Sequence, residues 1–288
     1  MDLEQKAIER IRTASELSLH YYKQPLICTY SGGKDSDVML ELFKRSGVPF
    51  EVVHGLTTVD APQTVRHVKE VFRELENNGI KATIKRPEMS MWRLIEKRKG
   101  PPTRLYRYCC KYFKETSTPG RFIATGTRWA ESKKREKTKI LGKRGEKREK
   151  HEIILVNDNE EKRAVIENCK IKSEMIVNPI IDWPDKEIWE YYWGECKIHN
   201  ELYKMGYCRV GCIGCPMAER RRWKQFADFP TYERAYKRAF EKVIEERKKA
   251  GMKERWKSGE ELFRWWMQDD TIEGQMDFSD FPEIMPEE

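Results

Sequence analysis

The sequence predicts an α/β protein with a doubly wound, mostly parallel sheet, followed by a helical C-terminal region that carries a group of cysteines. Two observations predict the sheet. Up to about residue 185, short apolar runs alternate with segments of helical periodicity, which is the pattern of parallel strands joined by crossover helices. In addition, a glycine loop at 31–36 follows the first apolar run and precedes a helix, as in nucleotide sites of open sheets. We therefore predict two regions, 1–185 and 186–288.

The individual elements follow from local patterns. Apolar residues at near-helical spacing predict a first helix within residues 1–20. Apolar runs separated by turn residues predict the later strands and helices. The predicted strands are 26–30, 50–54, 80–84, 121–128 and 175–181. The predicted helices are 38–43, 65–72 and 91–95. Between these elements, two apolar runs around an Asn/Asp turn at 157–159 predict a β-hairpin. It belongs to an insertion at about 133–174, which starts with the basic run 133–150.

Composition limits the class of protein. The chain has 288 residues, a net charge of +8 and 11% aromatic residues, so it has enough apolar material for a folded core. No apolar run approaches the roughly 20 residues of a membrane span. The first residues lack the basic and apolar segments of a secretion signal. We therefore expect a cytoplasmic protein with no membrane partner, in which clustered cysteines bind metal rather than form disulfides.

The glycine loop Ser31-Gly32-Gly33-Lys34-Asp35-Ser36 has the properties of a phosphate cradle. Two consecutive glycines allow backbone N–H groups to turn towards an anion at a helix N-terminus. Lys34 adds a positive charge, and Ser31 and Ser36 add hydroxyl donors. The spacing of a Walker loop is absent, and an ordinary turn is the alternative.

A second strand end is expected beside this loop. Thr58 and Asp60 follow the strand at 50–54, and ligands of parallel sheets bind outside the carboxyl ends of the strands. We therefore predict that both side chains face the nucleotide. The alternative is that Asp60 caps the following helix.

Four of the eight cysteines form two close pairs. Cys212 and Cys215 make a CxxC motif, and Cys109 and Cys110 are adjacent. Together they supply four thiolates for a [4Fe–4S] cluster. A structural zinc and buried apolar cysteines are the alternatives, but adjacent cysteines fit a zinc tetrahedron poorly. Cys208 is a possible fifth thiol.

Taken together, these motifs resemble those of a known family. The loop SGGKDS is similar to the PP-loop of the ATP pyrophosphatases, which cleave ATP between the α and β phosphates. The order of SGGKDS, RYCCKYFKE, GTRWAESKKR, NPIIDWPDKEIW and GYCRVGCIGCPM over about residues 25–240 resembles the phosphoadenosine-phosphosulfate reductase family.

The resemblance implies the adenine nucleotide alpha hydrolase-like fold, with ATP and Mg²⁺ as cofactors. It further implies that Arg128, Glu131 and Arg135 line a nucleotide and anion pocket, and that Lys34, Asp35 and Arg128 act in catalysis. A guanidinium suits a sulfate or phosphate better than an ammonium does.

Two departures from the family pattern change the expected activity. Reductases that form sulfite carry a cysteine in a C-terminal segment, whereas here no cysteine follows Cys215 and the similar segment around Cys196 precedes the CxxC motif. Such reductases also usually carry a degenerate form of the phosphate loop, whereas the loop at 31–36 is intact here. We therefore expect an ATP-dependent, pyrophosphate-releasing sulfurtransferase that acts on a nucleotide or a nucleic acid.

The partners expected of such an enzyme are DNA or tRNA, bound through the basic insertion, and a cysteine desulfurase as sulfur donor. Two alternatives stay open. One is a sulfonucleotide reductase, and the other is a non-catalytic nucleotide-binding or nucleic-acid-binding protein with a structural cluster.

Overall fold

The computed structural model describes residues 2–115, 118–132, 135–143, 175–253 and 255–268. The predicted hairpin and most of the basic insertion lie outside these residues. Within them, the strands are β1 Leu26–Thr29, β2 Phe50–Gly55, β3 Ala82–Lys85, β4 Ile123–Ala124, β5 Leu141–Lys143 and β6 Met175–Val177. The α-helices are α1 Leu3–Leu17, α2 Lys34–Ser46, α3 Pro62–Asn77, α4 Met91–Lys97, α5 Tyr108–Cys110, α6 Asp185–Glu195, α7 Glu201–Lys204, α8 Arg221–Asp228, α9 Pro230–Lys249 and α10 Gly259–Met267.

Contacts divide the chain into two compact units. The first unit comprises Met1–Leu56, Ala61–Arg86 and Glu115–Gly211, and the second unit comprises Thr57–Asp60, Pro87–Lys114 and Cys212–Glu288. This division differs from the single boundary predicted near residue 185. Residues 186–211 group with the first unit because α6 packs on α2, and two earlier segments join the C-terminal helices.

The first unit contains a six-stranded sheet in the order β3-β2-β1-β4-β6-β5. All neighbouring strands are parallel except β5, which runs antiparallel to β6. The predicted α/β class with a mostly parallel sheet is thereby confirmed. The sequence did not predict β5, because this strand is only three residues long and lies within the basic run, where Leu141 is its one buried apolar side chain.

The core of the first unit lies between this sheet and its helices. The residues of β1 from Leu26 to Cys28 are fully buried, as expected for a central parallel strand. The apolar face of α2 lies against them through Val38, Leu42 and Phe43. Because β1 and α2 are both anchored in this core, the loop that joins them starts and ends at fixed points.

The second unit is helical in its described residues. Helix α9 packs against α4 and α10, and the aromatic rings of Phe226, Tyr236, Phe240 and Trp266 contact one another in its interior. Helix α5 continues as a π-helical turn, Lys111–Glu115. Among the residues that the structure describes in either unit, no helix combines the length and the apolar character needed to cross a membrane.

Candidate functional site

The phosphate loop lies between β1 and α2 in the first unit. Gly32 has a φ of +75°, a region that residues with a side chain rarely occupy. A Cβ atom on Gly32 would also lie 2.9 Å from Cγ2 of Val68 and 3.0 Å from Cγ2 of Thr64. Conformation and space therefore both require glycine here. Gly33 then caps α2, which starts at Lys34.

The backbone N–H groups of the loop differ in whether they donate a hydrogen bond within the protein. The N–H of Gly33 donates to the Ser36 hydroxyl at 3.2 Å, and the N–H of Lys34 donates to the Tyr203 hydroxyl at 2.6 Å. Within the described residues, the N–H groups of Gly32 and Asp35 have no partner. Unpaired N–H groups at a helix N-terminus form an anion site, so the loop can accept a phosphate.

Two residues that the sequence analysis missed fix this loop. The amide of Asn200 donates to the Gly32 carbonyl at 2.8 Å and to the Thr64 hydroxyl at 3.2 Å. Tyr203 adds the bond to Lys34, and its hydroxyl would lie 3.3 Å from a Cβ on Gly33. Asn200 also caps α7, and that cap is the only signal in the sequence that could have drawn attention to it.

Lys34 and Asp35 form an ion pair at the start of α2. The Lys34 ammonium lies 2.9 Å from Oδ2 of Asp35 and 5.2 Å from the ring centroid of Trp189. Lys34 is buried, so its charge acts in surroundings with little water. A phosphate bound by the loop would meet this charge next to the helix N-terminus.

Arg128 is enclosed by its partners. Its Nε lies 2.5 Å from Oδ1 of Asp35, and its other two nitrogens donate to the Trp183 carbonyl at 3.0 Å and to Asp185 at 2.6 Å. Only 1% of Arg128 is exposed. These bonds hold Asp35 against a distant part of the chain. The predicted role of Arg128 in an anion pocket stays a prediction.

Glu131 connects the predicted arginines. Its Oε2 accepts from the Arg128 backbone N–H at 3.0 Å and from the Arg135 guanidinium, and its Oε1 lies 3.7 Å from Arg209. The structure therefore brings Lys34, Asp35, Arg128, Glu131 and Arg135 together as one polar network of the first unit.

Thr58 and Asp60 belong to the second unit. The Thr58 hydroxyl accepts from the Met91 N–H at 2.8 Å, and the Asp60 carboxylate accepts from the Thr57 N–H at 2.8 Å. Among the described residues, no side chain caps α3, so the alternative that Asp60 is this cap is wrong. That Thr58 and Asp60 face a nucleotide stays a prediction.

The four predicted metal ligands lie in the second unit, and their thiols act on one another. The Cys109 thiol donates a hydrogen bond to Cys110, and this bond, together with burial and the charges of the other cysteines, holds the pKa of Cys109 far above its usual range. Burial raises the pKa of Cys212 to about 11, although Lys114 lowers it. Thiols crowded in this way keep their protons unless a cation replaces them.

The type and number of these donors fit a [4Fe–4S] cluster. In the described part of the chain, however, no group of three or more Cys, His, Asp or Glu side chains is arranged so that it could hold a metal ion. The donor chemistry of these residues therefore supports a metal centre, whereas their described positions do not form a closed ligand geometry.

The CxxC loop is positioned by packing. Gly214 has a φ of +75°, and a Cβ there would lie 2.7 Å from the Phe226 ring and 2.8 Å from the Tyr236 ring. The neighbouring Ile213 donates its N–H to the Val59 carbonyl at 2.8 Å. The conformation between the two cysteines thus depends on a glycine surrounded by rings.

Of the four remaining cysteines, Cys169 lies outside the described residues, and the other three are placed differently from the predicted ligands. Cys208 is exposed and belongs to the first unit. Cys196 is buried, and this burial raises its pKa well above the usual range, which is unfavourable for a nucleophile. Cys28 lies within β1, where burial also raises its pKa.

Comparison with known proteins gives a family and several relatives. A family model described as the phosphoadenosine phosphosulfate reductase domain matches residues 25–218. An uncharacterized protein of Methanocaldococcus jannaschii is 31% identical over 198 residues, which are 68% of this chain and 37% of that protein. A second one is 28% identical over 259 residues, 88% of this chain and 54% of that protein. The chain thus spans between about a third and a half of the length of these two relatives.

Other relatives have named activities. An adenosine 5′-phosphosulfate reductase of Bacillus anthracis is 24% identical over 200 residues, which cover 68% of this chain and 77% of that protein. Among solved structures, phosphoadenylyl-sulfate reductase from Candida auris aligns with a TM-score of 0.45 at 16% identity, covering 72% of this chain and 88% of that chain. Candida glabrata FMN adenylyltransferase in complex with FAD and inorganic pyrophosphate aligns with a TM-score of 0.42 at 17% identity, covering 73% and 63%.

Proposed function

Because this chain belongs to the phosphoadenosine phosphosulfate reductase domain family, a family of nucleotide-binding PP-loop enzymes, we propose that it is an ATP-dependent sulfurtransferase. In this proposal it transfers AMP from ATP to an oxygen of a nucleic acid or nucleotide and releases pyrophosphate. Persulfide sulfur, reduced by two electrons from a thiol reductant, then attacks the activated position, and AMP leaves with the activated oxygen.

The observation that carries this proposal is the phosphate loop. Two unpaired N–H groups, a glycine at φ +75° and the buried Lys34 lie at one helix N-terminus. Donors held in place before the reaction stabilise negative charge that develops on a leaving group. ATP cleavage between the α and β phosphates develops such charge on pyrophosphate. Mg²⁺ would neutralise part of the phosphate charge when ATP binds.

The residues around Lys34 have supporting roles in this proposal. Oδ2 of Asp35 forms an ion pair with the Lys34 ammonium at 2.9 Å. The other carboxylate oxygen of Asp35 forms an ion pair with Arg128. The pair of contacts fixes the position of the ammonium before ATP arrives. Ser31 and Ser36 bond to each other at 3.1 Å, and we assign them to keeping the loop in shape.

We further propose that Cys109, Cys110, Cys212 and Cys215 hold an iron–sulfur cluster, with zinc as the alternative metal. When bound, such a cluster supplies iron that can bind sulfur. The chain's own contribution is the set of thiols and the ring-packed glycine between Cys212 and Cys215. Cysteine desulfurase is the proposed sulfur donor, DNA or tRNA is the proposed acceptor, and the cytoplasm is the proposed location.

The test of the proposal measures pyrophosphate release from ATP with DNA, tRNA or adenosine phosphosulfate present. Lys34→Ala removes the charge beside the leaving group, and loss of one such contact is expected to lower the rate about 10²- to 10³-fold. Lys44→Ala is the matched control, because Lys44 lies on the same helix and pairs with Glu74 at 3.0 Å. Equal rates in the two variants would contradict the assignment of the loop.

A second measurement addresses the metal. Protein purified without oxygen is expected to contain iron and acid-labile sulfide and to absorb broadly near about 400 nm. Replacing Cys215 with Ser should lower the iron content, whereas Cys208→Ser should leave it unchanged. One zinc per chain without iron would exclude the cluster.

One observation favours the reductase as a second candidate. The Bacillus anthracis relative that carries this name aligns over 77% of its own length. Formation of sulfite from adenosine phosphosulfate without ATP would establish that activity and refute the sulfurtransferase. If neither sulfite nor pyrophosphate forms, the alternative of a non-catalytic binding protein stands.

A further inference from the structure

Helix α8 in the second unit carries a tryptophan on its outer face. Its inner face buries Arg222, Gln225 and Phe226, whereas its outer residues Trp223 and Lys224 are exposed. Trp223 exposes 57% of its surface. More than half of this side chain therefore lies outside the core, where its ring is accessible to a ligand.

Two further large apolar side chains of the second unit are exposed on segments that lie near Trp223 in the chain or through an ion pair. Within the described residues of the second unit, the other exposed large hydrophobic residues are Leu105 and Met217, at 78% and 40% exposure. Arg104 pairs with Glu219 at 3.1 Å, which brings the segment of Leu105 to the start of α8. We call Leu105, Met217 and Trp223 the tryptophan patch.

The surroundings of the patch are basic. Residues 97–114 contain seven lysines and arginines and no acidic residue, and Arg104, Arg107 and Lys111 are exposed. Arg220 and Arg221 are exposed at the N-terminal end of α8. Cations at a helix N-terminus oppose the helix dipole and destabilise the helix. The Arg221 Nε donates to the Ala218 carbonyl at 3.2 Å, and the two exposed guanidiniums together present positive charge to an anion.

The patch also borders both cysteine pairs along the chain. Leu105 precedes Cys109 by four residues, and Met217 follows Cys215 by two. A ligand on the patch would therefore lie next to the segments that carry the four thiols.

We propose that the tryptophan patch binds an unpaired stretch of single-stranded nucleic acid, with one base stacked on Trp223 and the neighbouring phosphates on Arg220 and Arg221. This inference rests on the proposed function, since it names the acceptor as nucleic acid and places its binding in the second unit. Single strands fit this chemistry because exposed bases stack on aromatic rings while cations bind the backbone. In a duplex the base faces are covered, so a duplex cannot stack on the ring.

The experiment measures binding of a fluorescein-labelled 12-nucleotide DNA or RNA by fluorescence anisotropy at several salt concentrations. Trp223→Ala is expected to weaken binding by roughly 5- to 150-fold, the range for one stacked base. Trp223→Phe keeps an aromatic ring, so its affinity should fall less than that of Trp223→Ala. Replacing both Arg220 and Arg221 with Ala should make the log–log salt dependence shallower by about 0.7 for each lost phosphate contact.

Trp193→Ala is the matched control, because Trp193 is 45% exposed and lies in the first unit. It is expected to bind as the wild type does. The unfolding midpoint of Trp223→Ala should also be unchanged, because the ring is exposed. Weaker binding in this variant then reflects the lost ring and not a lost fold.

Several outcomes would overturn the proposal. The proposal is wrong if the wild type does not bind the single strand, if Trp223→Ala binds it with unchanged affinity, or if a duplex of the same sequence binds equally well. It is also wrong if an acidic protein, and not a nucleic acid, binds to the tryptophan patch. Pyrophosphate release is measured on the same samples. If it fails while binding still depends on Trp223, the proposed function is wrong and the patch stands; if release persists without such binding, the patch is wrong and the function stands.

Discussion

Two loops of this molecule have the same backbone feature and are held in different ways. The phosphate loop of the first unit and the CxxC loop of the second unit each contain a glycine at φ +75°, Gly32 and Gly214. Gly32 is held by polar bonds, among them the Asn200 amide on its carbonyl. Gly214 has one polar bond, from its N–H to the Gln225 side chain at 2.9 Å, and is otherwise enclosed by the rings of Phe226, Tyr236 and Trp266.

The difference relates to what each loop would bind. Hydrogen bonds can be exchanged, so the N–H that Lys34 donates to Tyr203 can pass to a phosphate oxygen at small net cost. Packed rings cannot be exchanged, because a close-packed interior resists displacement. The phosphate loop is thus suited to a ligand that comes and goes, and the CxxC loop to one that stays.

The largest effect is expected where packing holds the loop. Gly214→Ala requires a side chain at positive φ and puts a Cβ 2.7 Å from the Phe226 ring. Strain and overpacking together should lower the free energy of unfolding of the second unit by about 2–4 kcal/mol. Urea denaturation, with hydrogen exchange to assign the loss to the second unit, measures this change.

Gly251→Ala separates the two causes. Gly251 has a φ of +67°, and no atom lies within 4 Å of the place that a Cβ would take, so this variant keeps the backbone strain without the collision. The free energy of unfolding of the second unit should fall by only about 1 kcal/mol in Gly251→Ala. If the two variants lose the same amount, the rings do not hold the CxxC loop, and the contrast between the two loops disappears.

Much of the frame around these loops could be predicted from the sequence, because its signals are local. The apolar run of β1, the two glycines and the start of α2 follow one another in the chain, and the cysteines of each pair lie within three residues of each other. The bonds that fix the phosphate loop are not local. Tyr203 lies 169 residues from Lys34, and no pattern in the sequence connects them.

The same reason explains the other differences. Arg128 was predicted from a motif, but its three partners become neighbours only when the sheet has formed. The division into units was missed because the second unit takes in 57–60 and 87–114, whose alternating pattern continues that of the first. Composition reports which residues are present, whereas tertiary contacts decide which unit they join.

The smallest effect is expected where a single exchangeable bond holds the loop. Tyr203→Phe removes the hydroxyl that accepts from the Lys34 N–H at 2.6 Å. Burial raises the pKa of Tyr203 well above its usual range, so no charge is lost with the hydroxyl. The first unit should lose about 1 kcal/mol in its free energy of unfolding, the usual cost of one such bond, as measured by urea denaturation.

With ATP and Mg²⁺ present, this deficit is expected to shrink, because the N–H freed in Tyr203→Phe can donate to a phosphate without first leaving Tyr203. By linkage, the variant should then bind ATP as tightly as the wild type or a few-fold more tightly. The control is Tyr232→Phe in the second unit, whose hydroxyl donates to the Asp60 carbonyl at 2.7 Å. Tyr232→Phe should lower the free energy of unfolding by a similar amount, and ATP should not reduce this loss. Weaker ATP binding by Tyr203→Phe would instead mean that the hydroxyl positions the loop for the nucleotide, and that the phosphate loop is as fixed as the CxxC loop.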